Sequence, residues 1–249
     1  MKRRSNRLLI HIYWGHDNVP EAEEIKMLAQ YVSNLFTFYL PVINTQLKKI
    51  VIEFDLDSSL STIDYLIDSK IMTVYKSFDF SNWQREENKL QSMFNLASES
   101  LKAAFEELGI PSILIVETVE EIERNGLELN VEICKTPIFN KEKKIRAILL
   151  AEYKIDYVII VLIFYFNNGD SRRVPLFKTF PHYFIYDQLI KKLKWINNNK
   201  VEIENNSGEL KINVEVNGKV IPIYEPKDRD VDGIIEEIKF LTKEAYFKV

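Results

Sequence analysis

The sequence predicts an α+β fold: an antiparallel sheet, ending in a C-terminal meander, packed with several helices that concentrate in the N-terminal part. Three observations carry that prediction. Two long stretches in the first half repeat apolar residues at i, i+3, i+4 and i+7, the period of a helix that buries one face. From Leu127 onward the character changes to strands, and "LELNVEI" alternates apolar and polar residues, the period of a half-buried strand. Near the end, "ELKINVEV" and "KVIPIY" flank Asn217-Gly218, a pair that favours a two-residue hairpin between antiparallel strands.

Taken in order, Leu8 to Trp14 reads as a strand ending at Gly15. Pro20 and "EAEE" then open a helix, with Asp17 or Asn18 available as cap and acids in the first turn, where the helix dipole favours them. Its buried face is Ile25, Leu28, Ala29, Val32, Leu35 and Phe36, and Pro41 lies just past its end. Lys49 to Phe54 and Ile71 to Phe78 are strands. Ser81 caps a long helix whose apolar set runs from Leu90 to Leu108, and Gly109 and Pro111 stop it. Ser112 to Arg124 is divided between a strand, for "ILIV", and a helix, for "ETVEEIER". "LELNVEI" is a strand, "RAILLAEYKIDYVIIVLIFYF" is long enough for two, and "RRVPLF" follows the turn "NNGD". "VEIE" joins the two terminal segments in the meander, and two further helices are expected, Tyr183 to Trp195 and Ile234 to Ala245.

At 249 residues and 46% hydrophobic content, the chain reads as a single unit over 1–249, with a lobe boundary offered near 109–112. The net charge of −4 argues against general nucleic-acid affinity, which needs clustered Lys and Arg, and permits a basic protein partner. One cysteine, Cys134, excludes an internal disulfide and a multi-cysteine zinc site and fits a reducing compartment. "MKRRSNRLLIHIYWG" starts basic, but its apolar stretch is short, is broken by His11 and leads to no small-residue cleavage site. The most apolar run, Tyr157 to Phe166, is shorter than a membrane span. The expectation is a cytoplasmic protein without membrane association. All seven glycines punctuate boundaries, so none is left for a G-x-G-x-x-G or G-x-x-x-x-G-K loop, and no cofactor is expected.

Chemistry could sit in three places. Ile50 to Phe54 delivers Asp55 and Asp57, and Asp-x-Asp at a strand end resembles the haloacid dehalogenase signature. In that family the first aspartate is the nucleophile and the second a general acid/base, with magnesium neutralising the phosphate. Here Ser58 and Ser59 replace its Gly and Thr, Gly169-Asp170 lacks the second acid of its later motif, and hairpins after residue 160 conflict with its parallel sheet. The plainer reading is a strand end entering a loop, with Asp57 or Ser58 capping the next element. "LLAEYK" looks like the E-x-K half of a PD-(D/E)xK nuclease core, with Glu152 and a second acid, Glu132, to hold magnesium and Lys154 to polarise water. The Pro-Asp half is absent, and alternating Glu and Lys are the ordinary solvent face of a strand. His11, His16 and His182 are scattered, Cys134 reads as a small buried hydrophobe, and "LASES" lacks the G-x-S-x-G elbow. No metal site is expected.

Charged faces remain. Asp17, Glu21, Glu23 and Glu24 cluster at the first helix, and Glu120 and Glu121 belong to a second acidic run with Glu117, Glu123 and Glu128; Lys141, Lys143, Lys144 and Arg146 form a basic one. An acidic face is solvated surface or recognises a basic partner. "IYWGHDNVPEAEEIKMLAQYVSNL", Ile12 to Leu35, runs strand, Tyr13-Trp14-Gly15, polar turn, then a helix opened by Glu21, Glu23 and Glu24. It resembles the opening of one family of bacterial polymorphic-toxin immunity proteins. That resemblance implies a cytoplasmic protein that binds and blocks a cognate toxin without catalysis. The preferred expectation is therefore a binding module whose contact residues are Asp17, Glu21, Glu23, Glu24, Glu120 and Glu121. The rival is a metal-dependent hydrolase, a nuclease at Glu132, Glu152 and Lys154 or a phosphatase at Asp55 and Asp57.

Overall fold

Alternation of Leu8, Ile10, Ile12 and Trp14 makes the first strand, β1 (Leu9–Trp14), with those four side chains buried and His11 and Tyr13 facing the other way. The computed structural model describes residues 8–43, 45–56, 61–66, 70–133, 138–181, 190–205, 208–224 and 239–240. The chain is α+β and divides into two units, 1–129 and 130–249, and every helix among the described residues lies in the first. The turn at 109–112 lies inside that first unit.

The first unit continues with α1 (Ala22–Tyr39), β2 (Lys49–Asp55), β3 (Ser61–Leu66) and β4 (Ile71–Ser77). The strand order is β1-β2-β4-β3. β1 and β4 both run parallel to β2, and β3 runs antiparallel to β4, so this sheet is mixed. Parallel neighbours need a crossover, and α1 supplies the one between β1 and β2. β3 escaped the sequence reading because its "STIDYL" carries only a weak apolar alternation.

One face of the sheet is buried through Ile10, Ile12, Ile50, Ile52, Phe54, Met72 and Val74. α1 and α3 (Lys89–Glu107) contact these strands, and Phe36 of α1 stacks on Phe94 of α3 at 5.2 Å. Side chains of this kind contribute about 1.5–3 kcal/mol each on full burial. α1 also closes the edge of β1. Ser33 Oγ accepts the Ile12 N–H at 2.8 Å and Thr37 Oγ1 accepts the Ile10 N–H at 3.0 Å. Neither Asp17 nor Asn18 caps α1: Glu21 occupies the N-cap without a side-chain hydrogen bond there, and Asp17 is drawn to Lys26 instead.

The long helix expected from Ser81 is two. Asp79 caps α2 (Phe80–Trp83) by accepting the Asn82 N–H at 3.0 Å, and Asn88 caps α3 by accepting the Gln91 N–H at 3.1 Å. α3 ends at Gly109, whose φ of 64° is left-handed, with the Ile110 N–H returning to the Phe105 carbonyl. "ILIVETVEEIER" becomes α4 (Ile113–Arg124), because Ile115, Thr118 and Ile122 share one buried face.

β5 (Leu129–Glu132) starts at the last residue of the first unit, and the second unit continues with β6 (Ile138–Phe139), β7 (Ile145–Tyr153), β8 (Val158–Phe166) and β9 (Ser171–Thr179). They join β14 (Lys239–Phe240) in one sheet, β7 and β8 being the two strands read from the long apolar run. β10 (Lys192–Asn197), β11 (Lys200–Glu204), β12 (Leu210–Glu215) and β13 (Val220–Tyr224) form the antiparallel meander. Trp195, expected at the end of a helix, stands in β10, where "KLKWIN" alternates and pairs with β11. Its indole N–H donates to the Ile138 carbonyl at 3.0 Å and its ring meets Phe164. Lys239–Phe240 pairs with β9 as strand where a last helix was expected, since an open sheet edge satisfies their backbone groups. Residues 183–189 and the remainder of that last helix fall outside the described residues, as do Asp57, Cys134 and His182. The turn at Asn217-Gly218 is also longer than read. Gly218 alone is left-handed there (φ 98°), its N–H bonds the Glu215 carbonyl, and the geometry is a three-residue turn with a glycine bulge.

Candidate functional site

β1 and β2 end side by side, because they are parallel and in register from Leu9↔Lys49 to Trp14↔Phe54. That alignment brings His16, just past β1, to Asp55 at the end of β2, with Nε2 and Oδ1 3.8 Å apart. Trp14 is core rather than interface, at 3% exposure. Its indole N–H donates to the His16 carbonyl at 2.9 Å, and its ring meets Phe78 edge-on at 4.9 Å. Trp83 is equally buried and packs on Phe78. In the Tyr-Trp-Gly motif Tyr13, at 47% exposure, and Gly15 lie at the surface. Gly15 is not left-handed, and a Cβ there would meet the Tyr13 ring at 3.1 Å.

The acids that open α1 are engaged internally. Lys26 bridges Asp17 (2.6 Å) and Glu23 (3.0 Å), which together raise its pKa. Lys89 holds Glu24 at 2.6 Å, and Gln84 Nε2 donates to Glu21 Oε1 at 3.1 Å. These cations come from the next turn of α1 and from the start of α3, and only the folded chain places them there.

Glu120 and Glu121 are placed differently. α4 buries Ile115, Thr118 and Ile122, which turns Ile113, Val116, Glu117, Glu120, Glu121 and Glu123 outward as one stripe. None of those four carboxylates has an ion pair among the described residues. Arg124 lies on the same face at its C-terminal end. Ile113 is 54% and Val116 39% exposed, so two apolar side chains sit among the acids. The charge of this region reaches α1. The Tyr31 hydroxyl is pushed up to about 12, first by burial and then by Glu128, although a backbone hydrogen bond from Leu129 opposes the shift. Tyr39 is raised by burial, Glu121 and Glu128. Their hydroxyls donate to the carbonyls of Leu127 (2.8 Å) and Glu128 (2.9 Å), pinning α1 to the end of α4. Sequence reasoning missed Ile113 and Val116; the helical period of "ILIVETVEEIER" held the signal.

In the second unit, both Glu152 oxygens accept from Arg173, at 3.1 and 2.6 Å, and the pair raises the arginine pKa. A carboxylate held this way is committed to its arginine. Glu132 and Lys154 are exposed, and among the described residues no three of His, Cys, Asp or Glu converge as metal ligands. The basic run is spread over the turn before β7 and the start of that strand: Lys144 pairs with Glu142, and Arg146 lies over the Tyr165 ring. No helix among the described residues is long and apolar enough to cross a membrane. Comparison with protein-family models, with curated proteins and with solved structures finds no match.

Proposed function

We propose that the protein works by binding another protein, a basic one, on the outward face of α4, and that this binding neutralises a toxin as in the immunity proteins its first strand and helix resemble. One feature supports the reading: exposed carboxylates of Glu117, Glu120, Glu121 and Glu123, without an ion pair among the described residues, share one face of α4 with exposed Ile113 and Val116. Apolar side chains give such a contact its desolvated centre, and charges around them steer the encounter and select the partner. The unit that carries α4 is itself acidic, with 13 Lys and Arg against 20 Asp and Glu, so its field favours a cationic partner. Asp17, Glu21, Glu23 and Glu24 form a secondary contact, since the exposed ion pairs of Asp17 and Glu23 with Lys26 are weak and exchange readily for a partner's cation.

The test is capture of a partner from the source cell, followed by titration against chain variants. Glu120→Lys with Glu121→Lys should weaken binding about tenfold or more, Ile113→Asp likewise, and Asp17→Asn much less. Affinity unchanged by the α4 substitutions rejects this surface. A captured protein whose toxicity is not relieved by co-expression rejects the immunity role.

A second reading, hydrolysis at Asp55, has one observation in its favour. The strand that ends at Asp55 lies between two parallel neighbours, and sites in such sheets gather at the carboxyl ends of strands. The hairpins that argued against a parallel sheet belong to the other unit. Phosphomonoester turnover that vanishes in Asp55→Asn would favour this reading over the first.

A further inference from the structure

We infer that a cleft in the second unit, separate from the α4 face, binds a small molecule carrying a phosphate and a planar ring. This open cleft of about 620 Å³ lies where the β8–β9, β10–β11 and β12–β13 turns meet, a volume within the range of ligand pockets. Its walls are tied together. The Val216 N–H donates to the Asn199 carbonyl at 2.9 Å, and Arg172 Nη1 donates to the Val216 carbonyl at 3.1 Å. Asn197 Oδ1 accepts the Asn199 N–H at 2.8 Å, so that side-chain amide is fixed by its own turn.

Charge selects the ligand. Arg172 and Lys200 line the cleft, and neither has an ion pair among the described residues, although Lys200 stands opposite Glu215 in the β11–β12 register. Glu215, the one carboxylate on the described wall, accepts instead from Asn217 Nδ2 at 3.0 Å. Two cations against one carboxylate leave the cleft positive. An arginine fork, a lysine and asparagine amide donors together suit the several oxygens of a phosphate. Phe166 adds a flat apolar surface on which a ring can lie.

AMP is the probe, titrated into the full chain at constant ionic strength and followed by ¹⁵N shifts of the Asn197, Asn199 and Asn217 amides. Saturable shifts are expected, with inorganic phosphate binding about tenfold more weakly. Arg172→Ala combined with Lys200→Ala should weaken AMP about tenfold or more, and Lys200→Ala alone, which keeps the Arg172–Val216 bond, should weaken it at an unchanged urea midpoint. Glu215→Gln should tighten it about threefold, because it removes the opposing charge. No saturation by about 10 mM AMP overturns the proposal. So does an affinity indifferent to the double substitution, or weaker binding in Glu215→Gln. Equal affinity for inorganic phosphate overturns the ring's part in it.

Discussion

Replacing Ser33 by alanine tests how the first sheet is closed at its edge. The Ile12 N–H points away from β2, and Ile12 is only 4% exposed, so water cannot serve that donor well. Ser33 Oγ accepts it at 2.8 Å while donating to the Ala29 carbonyl, one turn earlier in α1, at 2.7 Å. Ser33→Ala leaves the N–H buried and unsatisfied, at a cost of about 1–3 kcal/mol. The better helix propensity of alanine offsets roughly 0.5 kcal/mol of that. The net loss is about 1–2 kcal/mol, or very roughly 2–8 °C in Tm for a chain of this size. Ser98→Ala is the control. Its Oγ donates only to the Phe94 carbonyl of its own helix, so that change should be neutral or slightly stabilising. Urea unfolding gives the difference between the two variants, and amide hydrogen exchange at Ile12 locates it. Equal midpoints together with an Ile12 amide that stays protected would refute the idea that this hydroxyl closes the edge.

Three further outcomes are expected. The Tyr31 hydroxyl, raised to about 12, keeps its proton in the folded chain after an unfolded tyrosine has ionised near 10. Its contribution is therefore complete below about pH 10 and disappears between about pH 10 and 12, with a slope of at most about 1.4 kcal/mol per pH unit. Tyr31→Phe should flatten the fall of the urea midpoint over that range, and identical falls in both proteins would contradict the assignment. Gly169→Ala forces a side chain into φ 89° and should cost about 1–2 kcal/mol in chemical denaturation. Gly15→Ala meets only an exposed tyrosine ring and should cost under about 1 kcal/mol; the reverse ranking would show that the backbone at Gly15 is the constrained one. Arg173→Ala removes the partner of a largely surface pair and should cost under about 1 kcal/mol by the same assay, so a loss above about 3 kcal/mol would mean that Glu152 is effectively buried.

Where a pattern was short-range, the sequence alone determined the outcome. The buried faces of α1 and α3, the stop at Gly109, the presence of two strands in the long apolar run and the β11, β12 and β13 segments of the meander follow from spacing and turn residues, since each is decided by neighbours a few positions away. The break between α2 and α3 was legible too, in Asn88, but the apolar period running on from Leu90 obscured it. Trp195 went to a strand because β11 offered a ladder, and β4 came to lie between β2 and β3; both are pairings with distant residues that no local period encodes. The candidate site divides along the same line. The acids of α1 and α4 look alike as sequence, yet Lys89 and Gln84 reach the first set from far along the chain. Packing turns Ile113, Val116 and the second set outward. Spacing can name the residues on a helix face, but the distant elements packed around it decide which charges are already answered, because an ion pair depends on distance through space and not along the chain.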